Sequence, residues 1–212
     1  MTDFAELREH MVERQIAARG IRDPKLLDAL RQVPREEFVS PDYGHEAYGD
    51  HPLPIEAGQT ISQPYIVALM IEAARVGVGD CVLEVGAGSG YAAAVIGRIA
   101  GQVIAIERKP ELVAVARERL VRLNYANVTI VEGDGTRGWP EGAPYDAILV
   151  AAAGSQVPQA LIDQLAPGGR LVMPVGGALW AQDLVKLTKL PDGQTKRESL
   201  GGVRFVPLIG EE

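Results

Sequence analysis

From Asp80 onward the chain repeats one pattern, in which short apolar runs alternate with helical stretches. The runs occupy residues 81–85, 103–106, 128–131, 147–150 and 170–174, and the helices lie near 91–100, 110–123 and 158–165. A strand that is apolar at every position has no face to offer water, so it needs cover on both sides, and the intervening helices supply it. The pattern predicts an α/β fold built on a doubly wound, mostly parallel sheet. Beyond Val175 only strand-like pieces remain, at 183–190 and 203–208. With the Pro191-Asp192-Gly193 turn between them, they predict a closing antiparallel hairpin.

The N-terminal part follows a different rule. Residues 3–32 read as two amphipathic helices: Phe4, Leu7, Met11 and Ile16 recur at helical spacing, Gly20 stops the first, and Asp23-Pro24 opens the second. Residues 33–54, rich in proline and aromatics, are too punctuated for long elements. A third helix starts at Pro64, with Ile66, Leu69, Met70 and Ala73 as its expected buried stripe. The 212 residues, 47% of them hydrophobic, suffice for one sizeable core, and no repeat or low-complexity linker divides them. The expectation is a single domain over 1–212, with a helical N-terminal part at 1–79 and the sheet at 80–212.

Charge and cysteine usage narrow the partners. With 21 basic and 28 acidic residues the formal charge is −7, and no Lys/Arg cluster breaks the mixture. A nucleic-acid backbone or an anionic membrane wants a basic face, so neither is expected as a partner. The lone Cys81 heads an apolar run and is expected to be a buried structural thiol in a reducing compartment. The charged N-terminus has no signal-peptide core, and no stretch approaches the ~18 apolar residues of a membrane span. A soluble, cytoplasmic protein is expected. The N-terminal stripe is expected to serve the core rather than dimerisation, which makes the chain a monomer.

In open α/β sheets ligands sit beyond the carboxyl ends of the strands. The first such loop is Glu84-Val85-Gly86-Ala87-Gly88-Ser89-Gly90-Tyr91. Its three glycines let the backbone pass close to a ligand, and the following helix offers free N–H groups. The dinucleotide fingerprint G-x-G-x-x-G fails here, because its last glycine would fall at Tyr91. Glu84, at the tip of the strand, would repel a pyrophosphate and attract an ammonium, which favours S-adenosylmethionine over NAD. Glu107 ends the second run, where it could accept both ribose hydroxyl hydrogens; equally, it could pair with Arg108 or Lys109. Asp134, followed by Gly135, ends the third run, where it could receive the adenine amino group; equally, Asp134-Gly135 is an ordinary turn. Three acidic strand ends in succession point together to S-adenosylmethionine.

One further stretch stands out: GQTISQPYIVALM, Gly58 to Met70. Four polar side chains, Gln59, Thr60, Ser62 and Gln63, precede an apolar helix. Ser62 or Gln63 could be an N-cap. If the helix packs beside the first strand, the run instead lies over the loop that holds the cofactor's methyl group.

The sequence resembles the protein-L-isoaspartate O-methyltransferase family over nearly its whole length. The resemblance is carried by ARGIRDPKLLDAL, VPREEFV, LPIEAGQTISQPYIVALM, VLEVGAGSGY, IERKPELV, VEGDGT, PYDAILVAAA, LAPGGRLVMPVG and VRFVPLIG. The glycine loop marks only the wider methyltransferase class; GQTISQP and the terminal RFVPL are distinctive of this family. The resemblance implies a Rossmann-like class I methyltransferase that uses S-adenosylmethionine to esterify the free carboxylate of isoaspartyl residues in proteins and peptides, opening repair through a succinimide. It implies that Ser62 is the active-site hydroxyl and that Thr60, Ile61, Ser62 and Gln63 border cofactor and substrate. Val206, Pro207 and Leu208 would wall the isoaspartyl pocket. Cofactor contacts are expected at Glu84, Gly86, Gly88, Ser89, Gly90, Glu107, Asp134 and Gly135.

Ala87, Ala151 and the pair Glu56-Ala57 depart from commoner family residues and could alter cofactor affinity. The histidines around His45-Glu46 and His51 match no metal-ligand spacing, so no metal is expected. Trp139 and Trp180 are expected to be packing or rim residues. Other readings keep the same loop: a small-metabolite methyltransferase, a carboxyl methyltransferase dedicated to one peptide, and a non-catalytic S-adenosylmethionine-binding module.

Overall fold

The computed structural model describes residues 3–177 and 182–210, so Trp180 lies outside the described residues. Helix α1 (Phe4–His10) starts at Asp3, whose Oδ1 accepts the N–H groups of Ala5 at 2.9 Å and Glu6 at 3.2 Å. It continues through a π-helical stretch (Met11–Ile16) and a 3₁₀ turn (Ala17–Arg19), and ends at Gly20 with φ 106°. Met11, Val12 and Ile16 are fully buried and Phe4 packs partly buried against the same core, whereas Leu7 is 37% exposed, so of the expected stripe only Leu7 stands out of the core. Helix α2 (Pro24–Gln32) opens on Asp23 and Pro24 as expected. Short 3₁₀ turns and a two-stranded antiparallel ribbon, β1 (Leu53–Pro54) with β2 (Thr60–Ile61), lead to helix α3 (Pro64–Ala74).

The face of α3 differs from the expectation. Pro64, Val67, Ala68, Met70, Ile71 and Ala74 are buried, while Ile66, Leu69 and Ala73 are only partly so. The helix packs across the fourth and fifth strands of the parallel set rather than beside the first.

The main sheet holds β3 (Cys81–Val85), β4 (Gln102–Glu107), β5 (Val128–Glu132), β6 (Tyr145–Val150), β7 (Leu165–Val175), β8 (Gln182–Lys189) and β9 (Thr195–Val203). Their order is β5-β4-β3-β6-β7-β8-β9, parallel through β7 and antiparallel for β8 and β9. Helices α4 (Tyr91–Gly97), α5 (Pro110–Arg122) and α6 (Gln159–Asp163) make the crossovers. The closing hairpin is present, but its second strand lies at Thr195–Val203 rather than at 203–208. Thr195–Val203 is an exposed edge strand carrying Lys196, Arg197 and Glu198, and edges of this kind are defended by charge, which hides them from an apolar count. Pro207 has no N–H to give a ladder, and the segment around it does something else.

Alternation along β3 divides the interior. Val82 joins a cluster shared with Met11, Leu30 and Ile71, while Leu83 and Val85 join a second one with Ile104, Ile106 and Ile148 on the opposite face. The chain leaves β3 toward β4 and β5 on one side and returns for β6 on the other, so the crevice between these halves lies at the carboxyl end of β3.

Candidate active site

The ends of three strands meet at that crevice. Val85 is in register with Ile106 on β4 and Val150 on β6. Beyond the last rungs, Gly86 and Ala87 each donate an N–H to the Ile106 carbonyl at 2.9 and 3.0 Å, and the Ala151 N–H donates to the Val85 carbonyl at 2.8 Å. Gly86, Gly88 and Gly90 take φ values of 90°, 53° and 88°, the left-handed region in which a Cβ is strained. A cavity of about 530 Å³ opens over this loop.

Glu84 projects to the N-terminal-helix side of the sheet and is only 2% exposed. Its Oε2 is buried without a hydrogen-bond partner. Burial in apolar surroundings, with the nearby Glu107 charge as a second cause, pushes its carboxyl up to about 8. An orphaned acidic oxygen on a cavity wall is expensive unless a donor or a cation completes it.

Glu107, also buried, bends back over the loop. Its Oε2 accepts the Gly88 N–H at 3.0 Å and its Oε1 accepts those of Arg108 and Lys109 at 2.9 and 3.0 Å. Glu107 therefore meets Arg108 and Lys109 through their backbones, and among the described residues no side-chain ion pair joins it to either. Oε1 is filled by its two donors, whereas Oε2, with one, keeps a lone pair for a further donor such as a ribose hydroxyl.

The polar run divides. Gln59, Thr60, Ile61 and Ser62 line the cavity. Gln63 turns away and donates its Nε2 to Asp50 Oδ2 at 3.3 Å. Gln63 stands at the N-cap of α3 without a side-chain capping bond; Asp50 Oδ1 accepts the Tyr65 N–H at 3.2 Å instead. The Ser62 hydroxyl has no partner among the described residues, while its carbonyl is held by Arg35 Nη2 at 2.9 Å.

The C-terminal segment forms the opposite wall. Ala153 donates its N–H to the Val206 carbonyl and accepts that of Leu208, both at 2.8 Å, a parallel bridge that brings Val206, Pro207 and Leu208 to the cavity. Gln182 pins the preceding Phe205 through both of its amide atoms, at 2.6 and 3.0 Å.

Not every expected residue reaches the cavity wall. Ser89 and Gly135 do; Gly90 and Asp134 are not among its lining. A Cβ on Gly90 would lie 3.4 Å from that of Ala116, so this glycine serves the packing of α4 on α5. Asp134 Oδ1 accepts the N–H of Thr136 at 2.9 Å and its hydroxyl at 2.7 Å, making the ordinary turn that was the alternative reading. Gly135 is also a packing glycine, since a Cβ there would come within 2.3 Å of Val85 Cγ1.

Arg35, Asp50 and Tyr91 were not expected at the site. Arginine in VPREEFV carries no sign of burial, yet it is wholly enclosed. Of the departing residues, Ala87 and Ala151 line the cavity. Glu56 pairs with Arg119 at 2.7 Å, and Ala57 adopts φ 53°, which a glycine would take without steric cost. His45 and His51 each approach Glu46, at 3.4 and 3.8 Å; among the described residues no group of three His, Cys, Asp or Glu is arranged to hold a metal ion.

Comparison with known proteins decides the family. The model of the "Protein-L-isoaspartate(D-aspartate) O-methyltransferase" family matches residues 6–212. The chain belongs to that family. Among relatives of the family, a protein-L-isoaspartate O-methyltransferase 1 of Rhodopseudomonas palustris (strain HaA2) is 58% identical over 100% of this chain and 86% of its own length. A solved protein-L-isoaspartate O-methyltransferase superposes with a TM-score of 0.88 at 31% identity, covering 96% of this chain and 66% of that longer one. A Plasmodium falciparum structure described as a protein-L-isoaspartate O-methyltransferase in complex with S-adenosyl-L-homocysteine gives 0.82 at 27% identity, over 95% and 98% of the two chains. The fold of the family, a mostly parallel Rossmann-like sheet with antiparallel closing strands, is the fold described above.

Proposed function

We propose that this chain uses S-adenosylmethionine to methylate the free carboxylate of L-isoaspartyl residues in damaged proteins and peptides. The observation that carries the reading is one cavity lined by both Glu84, whose buried Oε2 has no hydrogen-bond partner, and Ser62, whose hydroxyl has none among the described residues. The donor set fits the cofactor. Glu84 offers an acceptor to the ammonium of its amino-acid end, Glu107 Oε2 has a lone pair free for a ribose hydroxyl, and the glycine loop leaves room for close backbone approach. Asp134 supports the adenine end through its place beside Gly133 and Gly135, which line the cavity.

When bound, S-adenosylmethionine supplies a methyl group made electrophilic by its sulfonium. The acceptor carboxylate has an ordinary pKa of about 4 and is already ionised, so no side chain has to remove a proton. What the chain contributes is placement, which can lower a barrier by several kcal/mol. Ser62 donates its hydroxyl hydrogen to one carboxylate oxygen and leaves the other free. The acceptor loses its charge on esterification, so dry walls such as Val67, Met70, Ile71 and Leu149 favour the product-like state. Val206, Pro207 and Leu208 form the rim on which the substrate backbone rests.

The ester is a better leaving group than the free acid. The following backbone nitrogen attacks its carbonyl, expels methanol and closes a succinimide, whose hydrolysis yields aspartate or isoaspartate without a further enzyme. The reading places a monomer in the cytoplasm, with no nucleic-acid partner. The −7 charge and the half-buried Cys81 thiol support it, and among the described residues no helix is long and apolar enough to cross a membrane.

The test is transfer of labelled methyl from S-adenosylmethionine to two otherwise identical short peptides, one with isoaspartate and one with aspartate. Transfer to the isoaspartyl peptide alone is expected. Equal transfer to both overturns the isoaspartyl preference. Transfer to neither, with cofactor bound, overturns the substrate and leaves a small metabolite, a dedicated peptide or a non-catalytic module.

A further inference from the structure

Arg35 is fully buried, and among the described residues no carboxylate lies within hydrogen-bond contact of it. Such a charge is costly, and its guanidinium meets three neighbours from three parts of the chain while its Nη1 is buried without a hydrogen-bond partner. Nε donates to the Ala47 carbonyl at 2.7 Å, in the segment after α2. Nη2 donates to the Ser62 carbonyl at 2.9 Å. The Cζ atom lies 4.7 Å from the ring centroid of Tyr91, which follows the glycine loop directly and opens α4. Phe38 holds that ring from the side, with centroids 5.6 Å apart at 68°. Tyr91 itself lines the cavity. The peptide that carries the serine and the first residue beyond the glycine loop are thus both fixed on one rigid planar group, which a lysine could not replace in kind.

Resting on the reading of Ser62 as the group that holds the acceptor, we infer that Arg35 is a positioning residue. By clamping the Ser62 carbonyl against the Tyr91 ring, it sets the distance between the serine hydroxyl and the glycine loop. It touches neither acceptor nor cofactor. A misplacement of about 1 Å in such a site costs on the order of a hundredfold in rate, so the effect belongs in kcat rather than in cofactor affinity.

The test uses the full chain carrying Arg35→Met and Arg35→Lys. Three quantities are read: kcat and KM for an isoaspartyl peptide, the S-adenosylmethionine Kd, and hydrogen exchange of residues 59–65. Arg35→Met is expected to lower kcat about thirtyfold or more, to keep Kd within about threefold, and to raise exchange in 59–65 while leaving β3 and β4 protected. Arg35→Lys, which keeps the charge and reaches one carbonyl, should recover part of the rate. If Arg35→Met does not fold, Arg35→Lys decides alone: a kcat lowered about tenfold at parental Kd supports the role.

Parental kcat in either folded variant overturns it, as does a loss of cofactor affinity that matches the loss of rate. The exchange measurement needs no turnover, so it separates the two readings. A parent chain inactive on isoaspartyl peptides defeats the proposed substrate, whereas unchanged exchange in 59–65 defeats the clamp.

Discussion

At the scale of single residues the site rests on two groups that the protein leaves incomplete. The Ser62 hydroxyl has no partner among the described residues, so its removal should act on the acceptor. Ser62→Ala is expected to keep S-adenosylmethionine affinity within a few-fold and lower turnover about tenfold or more, the scale of one charge-assisted hydrogen bond. Isothermal titration beside single-turnover methyl transfer checks it, and an unchanged rate would remove the serine from the mechanism.

Glu84 makes a prediction in pH. Its folded carboxyl titrates near 8, above its ordinary 4.5, so the folded chain holds the proton more tightly than the unfolded one. Stability without ligand should therefore fall as pH rises from about 4.5 toward 8. Cofactor binding has the opposite sign, because an ammonium selects the carboxylate. Affinity should weaken about tenfold per unit as pH drops below 8, equally for S-adenosylmethionine and S-adenosylhomocysteine, and Glu84→Gln should flatten both curves. Parallel curves for parent and variant would show that no ligand cation answers this oxygen. The acid was legible in the sequence from its place at a strand end; its orphaned state was not, since that depends on what packs around it.

At the scale of elements, what was legible depended on how many sides each element buries. Strands β3, β4 and β6 are enclosed on both faces, so composition alone gave them away. Strand β9 carries its charges on an exposed edge, and only the pairing with β8 identifies it. Helix α3 failed differently. Its sequence, PYIVALMIEAA, is apolar around most of its circumference, so no stripe stands out, and the tertiary environment selects the face. That selection is measurable. Ile71 is 1% exposed and packed in the core shared with Met11 and Val82. Ile71→Ala should cost about 3 kcal/mol in urea unfolding, while Leu69→Ala, on the partly buried side, should cost less than half of that. Equal losses would restore the stripe expected from spacing.

At the scale of the molecule, the question is whether residues 1–79 are an appendage or part of the sheet's own core. The first helices share one buried cluster with Val82, Val95 and Leu112. Polar ties run the same way. Glu72 Oε1 on α3 accepts the N–H groups of Arg22 at 2.5 Å and Asp23 at 3.0 Å, at the entry to α2. At the other end of α3, Arg170 on β7 donates to the carbonyls of Ala74 and Arg75, both at 2.7 Å. The extension also supplies Arg35 and Asp50, which hold the segment bearing Ser62 from behind. An N-terminal part that melted on its own would take the acceptor site with it while leaving the glycine loop standing. Cooperation through a shared core forbids that sequence of events, so one unfolding unit is proposed. Scanning calorimetry should give a single peak with equal calorimetric and van't Hoff enthalpies, and methyl transfer and cofactor binding should be lost at the same temperature. Two peaks, with transfer lost in the first and cofactor binding in the second, would instead make the helical part a separable domain that completes the site by docking.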